Sequence, residues 1–135
     1  MKILGCKIYR RGNKNSGKVA FTFDDGPHTK FTPLIMDTLE KHNSLGTFFS
    51  TGVNLEKNRS LAEEMAKRGH LLGNHTYSHP HALYTGRGKL RDEILRSKNL
   101  IEEITGSKNR IFRPPFGFLT PSLLSICRNL ELSII

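Results

Sequence analysis

Three observations predict an α/β fold. Short apolar, β-leaning runs alternate with stretches of helical periodicity. Each run stops abruptly at a polar or Gly/Pro-rich segment. The residues best suited to chemistry cluster at those stops, where parallel α/β folds gather their functional groups.

The elements follow in order. Residues 1–18 read as a lead-in: a small apolar start, then the polar, Gly-containing loop Arg10–Lys18. Val19–Phe23 suits a strand buried on both faces. Thr32-Pro33 reads as N-cap and first helical residue, with Leu34, Ile35, Thr38, Leu39 and His42 on one face of a helix ending near residue 43. Leu45–Thr51 is the second strand, its Phe48 and Phe49 read as core. Ser60 and Glu63 fit a capping box, Leu61 and Met65 point inward, and Gly69 closes that helix. His70–Asn74 is the third strand, and residues 85–89 are loop. Leu90–Thr105 carries an amphipathic stripe ending at Gly106. Ile111-Phe112 is a fourth strand, Thr120-Pro121 opens a helix through about Asn129, and Leu130–Ile135 is a fifth strand.

Three stretches carry chemistry. Phe21–His28 ends a strand in two adjacent carboxylates, Asp24 and Asp25, followed by Gly26-Pro27. As the backbone turns there, both side chains can reach one cavity, one as a metal ligand and the other as a proton acceptor. The plain reading is an acidic turn in which Asp25 makes an Asx-type bond. His75 and His79 lie four apart, the spacing of one face of a helical turn, and with one carboxylate they make a facial metal triad with open positions. Alone, such a pair is equally a pair of surface histidines. Tyr77, His81 and Tyr84 lie close by, as site lining or as plain loop. Arg113-Pro114-Pro115-Phe116-Gly117 follows the fourth strand; its prolines fix φ and leave the Phe116 and Gly117 amides in set directions. Its plain reading is a stiff turn or a polyproline-type segment.

Taken together and in order, the stretches resemble the polysaccharide deacetylases of the nodulation-protein-B type, carbohydrate esterase family four. Thr22–Pro27 matches the family pattern TFDDGP, His75–Pro80 matches H(S/T)xxHP, and Arg113–Phe116 matches RxxP(Y/F). The resemblance implies a distorted (β/α) barrel of about seven strands, open relative to a full eight-stranded barrel. It makes residues 19–135 a deacetylase domain. It implies Asp24 as general base, with Asp25, His75 and His79 as ligands of a divalent metal ion. Zinc comes first among the metals, with cobalt or nickel also suited. It implies Arg113 as the partner of the base and the Phe116 amide as oxyanion donor. The implied reaction is hydrolysis of N-acetyl groups on N-acetylglucosamine polymers, peptidoglycan or chitin-like.

The family's fourth motif, Asp-rich with Trp, and its fifth, with Leu and a general-acid His, find no match. The chain has no Trp, and its last histidine is His81. The fold expected is therefore an incomplete barrel of this type, lacking its C-terminal part. The competing function is a non-catalytic remnant that binds metal or carbohydrate.

The 135 residues suffice for one domain. The net charge of +9 favours anionic surroundings, a wall polymer or membrane surface. The basic residues are dispersed without aromatic interleaving, so nucleic acid is not expected as a partner. No run approaches the roughly 20 apolar residues of a membrane span. Cys6 and Cys127 are expected as buried free thiols. Residues 1–6 are too short and too soon polar for a secretory signal, although the family usually works outside the cytoplasm.

Overall fold

The computed structural model describes residues 1–135. Its centre is a five-stranded parallel sheet: β3 (Phe21–Asp24), β4 (Gly46–Ser50), β5 (Leu71–Asn74), β6 (Ile111–Phe112) and β7 (Ser133–Ile134). Spatial order equals chain order, so each connection winds the same way and the sheet curves as part of a barrel. The helices α1 (Phe31–Lys41), α2 (Gly52–Lys57), α3 (Arg59–Lys67), α4 (Arg87–Thr105) and α5 (Pro121–Asn129) cover it. All five strand C-termini therefore open onto one edge.

Two apolar clusters hold the helices to the sheet. One joins Met36, Leu39, Phe48, Leu55, Ala62, Met65, Leu72, Leu100 and Ile101. The other joins Leu90, Ile94, Phe112, Leu123, Leu124, Ile126, Leu132 and Ile134 with Cys6, Ile8 and Cys127. Both cysteines are free, and burial raises both thiol pKa values, which keeps them protonated. Phe48 and Phe49 are buried, as expected. No helix is long and apolar enough to cross a membrane.

Several local expectations are corrected. The first strand is the sheet's edge, not a strand buried on both faces. β3 has one partner, β4, so Val19 and Phe21 stay largely exposed. In α1 the inward positions are Thr32, Met36 and Leu39, and Leu34 faces outward. The Thr32 hydroxyl does not cap α1; it accepts the His28 N–H at 2.9 Å and ties the preceding loop. The Ser60 capping box does not form, because Ser60 lies inside α3 and Glu63 pairs with Arg59 at 3.2 Å. The helix before it, α2, carries too short a pattern to stand out. The lead-in is also more than a loop. It forms a small hairpin of β1 (Lys2–Ile3) and β2 (Cys6–Lys7), then Ile8 bridges Ile134 in parallel and Tyr9 N–H donates to its carbonyl at 2.8 Å. That segment continues the sheet beyond β7.

The motifs at 85–135 fall close to expectation. α4 starts three residues early and ends at left-handed Gly106. Thr120 caps α5 by accepting the Leu123 N–H at 3.1 Å.

A Cβ on Gly52 would lie 2.2 Å from Tyr77 Cδ2 and 3.0 Å from its Cα. The Tyr77 backbone cannot retreat, because Val53 N–H binds its carbonyl at 3.0 Å. Gly52→Ala is expected to cost about 1–3 kcal/mol, read from the denaturant midpoint. Arg68 joins α3 to α1 through Glu40 (2.7 Å) and Asp37 (2.6 Å). The Arg68 hydrogen bond holds the Glu40 carboxyl below its ordinary range. The stability it gives is present above the unfolded-state carboxylate value and is lost as pH falls through the folded-state value. Thermal melts of Glu40→Gln should lie below wild type at pH 7 and converge on it as pH falls through the folded-state carboxyl value.

Candidate metal centre and cleft

The C-terminal edge of the sheet holds a cleft of about 770 Å³. Asp24, Asp25, His75, His79, Arg113 and Phe116 all line it. The first carboxylate ends β3. The second follows in a left-handed conformation at φ 68°, which swings its side chain to the same side instead of the opposite face. The loop is held from α2 and from the residue joining it to α3: Asn54 Nδ2 donates to the Asp25 carbonyl at 2.6 Å and Asn58 Nδ2 to that of Pro27 at 3.2 Å.

The expected helical turn around His75 and His79 does not form. Residues 75–80 are an irregular loop, with Thr76 at φ 66° and His79 at φ 61°. The amides are satisfied from outside. Glu93 on α4 accepts Tyr77 N–H at 3.1 Å, Ser78 N–H at 2.6 Å and the Ser78 hydroxyl at 2.8 Å. Thr76 Oγ1 accepts the His79 N–H at 3.1 Å. Buried Asn74 bridges this loop to α4, donating to the Ile94 carbonyl and accepting from Thr76 N–H. The two imidazoles still converge, with ring centroids 4.8 Å apart.

Asp25 Oδ1 lies 3.5 Å from His75 Nε2 and 3.3 Å from His79 Nε2. One donor atom from each residue falls within 4.8 Å of the other two. His75 Nδ1 lies 2.7 Å from the Arg113 carbonyl, so that nitrogen carries the proton and Nε2 turns its lone pair inward. Burial lowers the His75 pKa below the ordinary histidine value, outweighing that carbonyl and the nearby carboxylates. A neutral ring with an inward lone pair, a second imidazole and a carboxylate fit a borderline divalent cation.

Asp24 stands beside this cluster. Arg113 Nη1 donates to Asp24 Oδ1 at 2.6 Å and to Thr22 Oγ1 at 3.1 Å, and its guanidinium lies 4.1 Å from the centroid of the Phe49 ring. After β6 the Pro115–Gly117 turn places Phe116 at φ 59°. The Gly117 N–H is taken by the Pro114 carbonyl at 3.1 Å, which leaves the Phe116 N–H as the free amide of the turn.

Tyr77 does not line this cleft. Its hydroxyl donates to Glu56 at 2.6 Å, and Arg96 stacks on its ring at 3.5 Å. Missing from the sequence-based site are Glu93, Asn54 and Asn58, and the cleft wall formed by Ile8, Tyr9 and Arg10. No local pattern singles them out, since each acts on a segment distant in sequence. The one available signal was the polar Glu93 directly before an inward-facing Ile94.

An open two-His, one-carboxylate cluster with an arginine-held carboxylate beside it, at the C-terminal edge of a parallel sheet, is a donor set that could hold a metal ion. Comparison with known proteins specifies the class. The family model described as polysaccharide deacetylase matches residues 11–135. A peptidoglycan-N-acetylglucosamine deacetylase of Bacillus cereus is 41% identical over 106 residues, covering 78% of this chain and 38% of the relative. A chitooligosaccharide deacetylase of Azorhizobium caulinodans is 31% identical over 133 residues, covering 98% and 62%. The crystal structure of a peptidoglycan N-acetylglucosamine deacetylase in complex with 4-naphthalen-1-yl-N-oxidanyl-benzamide superposes with a TM-score of 0.87 at 36% identity, covering 91% of this chain and 57% of that one. The chain belongs to the polysaccharide deacetylase family. It spans 38% to 62% of the length of these relatives, and the architecture is the incomplete distorted barrel of this type.

Glu93→Ala removes three bonds from the His75–His79 loop. It is expected to weaken zinc binding by about tenfold or more, with the fold retained, as read by a competitive zinc indicator and by circular dichroism.

Proposed function

We propose that the chain carries the hydrolytic centre of an N-deacetylase acting on N-acetylglucosamine-containing glycans, peptidoglycan or chitin-like oligomers. The observation that carries this reading is the Asp25–His75–His79 cluster beside an Asp24 fixed by Arg113 at 2.6 Å. Asp25, His75 and His79 would hold a divalent ion, zinc first by donor type, with cobalt or nickel also suited. When bound, that ion supplies Lewis-acid polarisation of the acetamide carbonyl and lowers the pKa of water.

The chain's own residues divide the remaining work. Asp24 takes the proton of the attacking water, and Arg113 holds that carboxylate in one orientation. The Phe116 N–H donates to the oxygen on which negative charge develops. Phenylalanine serves as well as tyrosine here, because the donor is the main chain. Collapse breaks the C–N bond to give acetate and an amino sugar. The amine nitrogen takes up a proton as that bond breaks. A wall polymer as substrate implies work outside the cytoplasm, and the net charge of +9 suits an anionic wall.

The test is acetate release from N-acetylglucosamine oligomers by metal-stripped protein before and after zinc is restored. Release should depend on zinc and fall about a hundredfold or more in Asp24→Asn, while that variant still binds one ion per chain. An active Asp24→Asn would refute the assignment of the base. Bound zinc without release would favour the competing reading, a binding module without turnover.

A further inference from the structure

Four rings that the hydrolytic roles leave unused lie in one contact chain outward from the centre. His79 meets Phe116 edge-on, with centroids 4.9 Å apart. Phe116 stacks on His81 at 5.0 Å and 25°. His81 in turn contacts Phe118 at 4.8 Å and Tyr84 at 4.8 Å. A cluster of this size in a small domain would ordinarily be core. Here Phe116 is 61%, Phe118 45% and Tyr84 87% exposed.

The surface is held in shape by its own backbone. Left-handed Phe116 throws its ring outward. The His81–Tyr84 turn is closed by the Tyr84 N–H and the Thr85 hydroxyl, which both donate to the His81 carbonyl, at 3.1 and 2.9 Å. Leu83 N–H donates to His81 Nδ1 at 3.3 Å, so the ring proton sits on Nε2. Flat apolar faces thus carry polar tips, an imidazole N–H and a phenol.

We infer that Phe116, His81, Phe118 and Tyr84 form a stacking platform for a pyranose ring of the glycan, next to the sugar whose acetamide enters the cleft. A pyranose has the complementary build, with a C–H face and a rim of hydroxyls. Phe116 belongs to both the cleft and the platform, so a polymer with one residue in the cleft must run along some neighbouring surface, and this one is continuous with it. The assignment rests on the deacetylase reading for the nature of its ligand. It names Tyr84 and Phe118 as residues that set chain-length preference.

Binding without turnover separates the two readings. The zinc-loaded Asp24→Asn chain is titrated with N-acetylglucosamine and with its tetramer by calorimetry, alone and with Tyr84→Ala plus Phe118→Ala. The tetramer should bind more tightly than the monosaccharide, and the double substitution should weaken the tetramer about five- to tenfold. Monosaccharide affinity, zinc content and melting temperature should stay unchanged. A tetramer preference lost in the double variant, together with no acetate release from the zinc-restored chain that keeps Asp24, would support the platform while the hydrolytic reading fails. Unaltered tetramer binding, equal loss for both ligands, or sedimentation showing the rings covered by a second copy would each overturn the platform.

Discussion

Arg113 joins three strand ends at once. Its N–H donates to the Asn74 carbonyl at 2.9 Å and continues the β5–β6 pairing. Its carbonyl accepts from His75 at 2.7 Å, and its guanidinium holds Asp24 at the end of β3, lying on Phe49 from β4. The pair is short and charge-assisted, which makes it stronger than a bond between neutral groups. Removing this side chain would leave Asp24 unaligned. Removing its main-chain geometry would turn the His75 lone pair away from the centre.

Strain is concentrated in the same place. Asp25, Thr76, His79 and Phe116 all adopt left-handed backbone without being glycine. Each such residue costs on the order of 1–2 kcal/mol, and the cost persists only where the surroundings leave no alternative. Here the surroundings are side chains of neighbouring elements: Asn54 of α2 and Asn58 after it under the first loop, Glu93 of α4 and Asn74 at the end of β5 under the second. The helices therefore do more than bury the sheet. With Asn74, their side chains hold two loops in conformations that converge on one point, which regular structure could not supply.

The sheet remains open on one side, and its two margins differ. At β3 the margin is a free edge with Val19 and Phe21 largely exposed. Beyond β7 the lead-in is laid on as a short parallel segment, with Ile8 driven into the second core cluster. Burial of Cys6 and Ile8 anchors that segment, and its next residues, Tyr9 and Arg10, become cleft wall as a consequence. Core packing thus decides the shape of the cleft at a distance.

Periodicity and punctuation alone determined much of this protein. Ile111-Phe112, the Thr120 cap and the Gly106 stop are legible because each is set by interactions within a few residues. The convergence of Asp24, Asp25, His75, His79, Arg113 and Phe116 was legible because motifs at successive parallel strand ends must share one edge. Tertiary structure decided what local pattern could not. The His75–His79 loop is bent rather than helical because Glu93, fourteen residues beyond His79, takes its amides. The first strand is an edge because its apolar run met only one neighbour. The hairpin at the chain start is structural because Cys6 and Ile8 found a pocket against α5 and β7. In each case the deciding partner is far along the chain, and only folding brings it within reach.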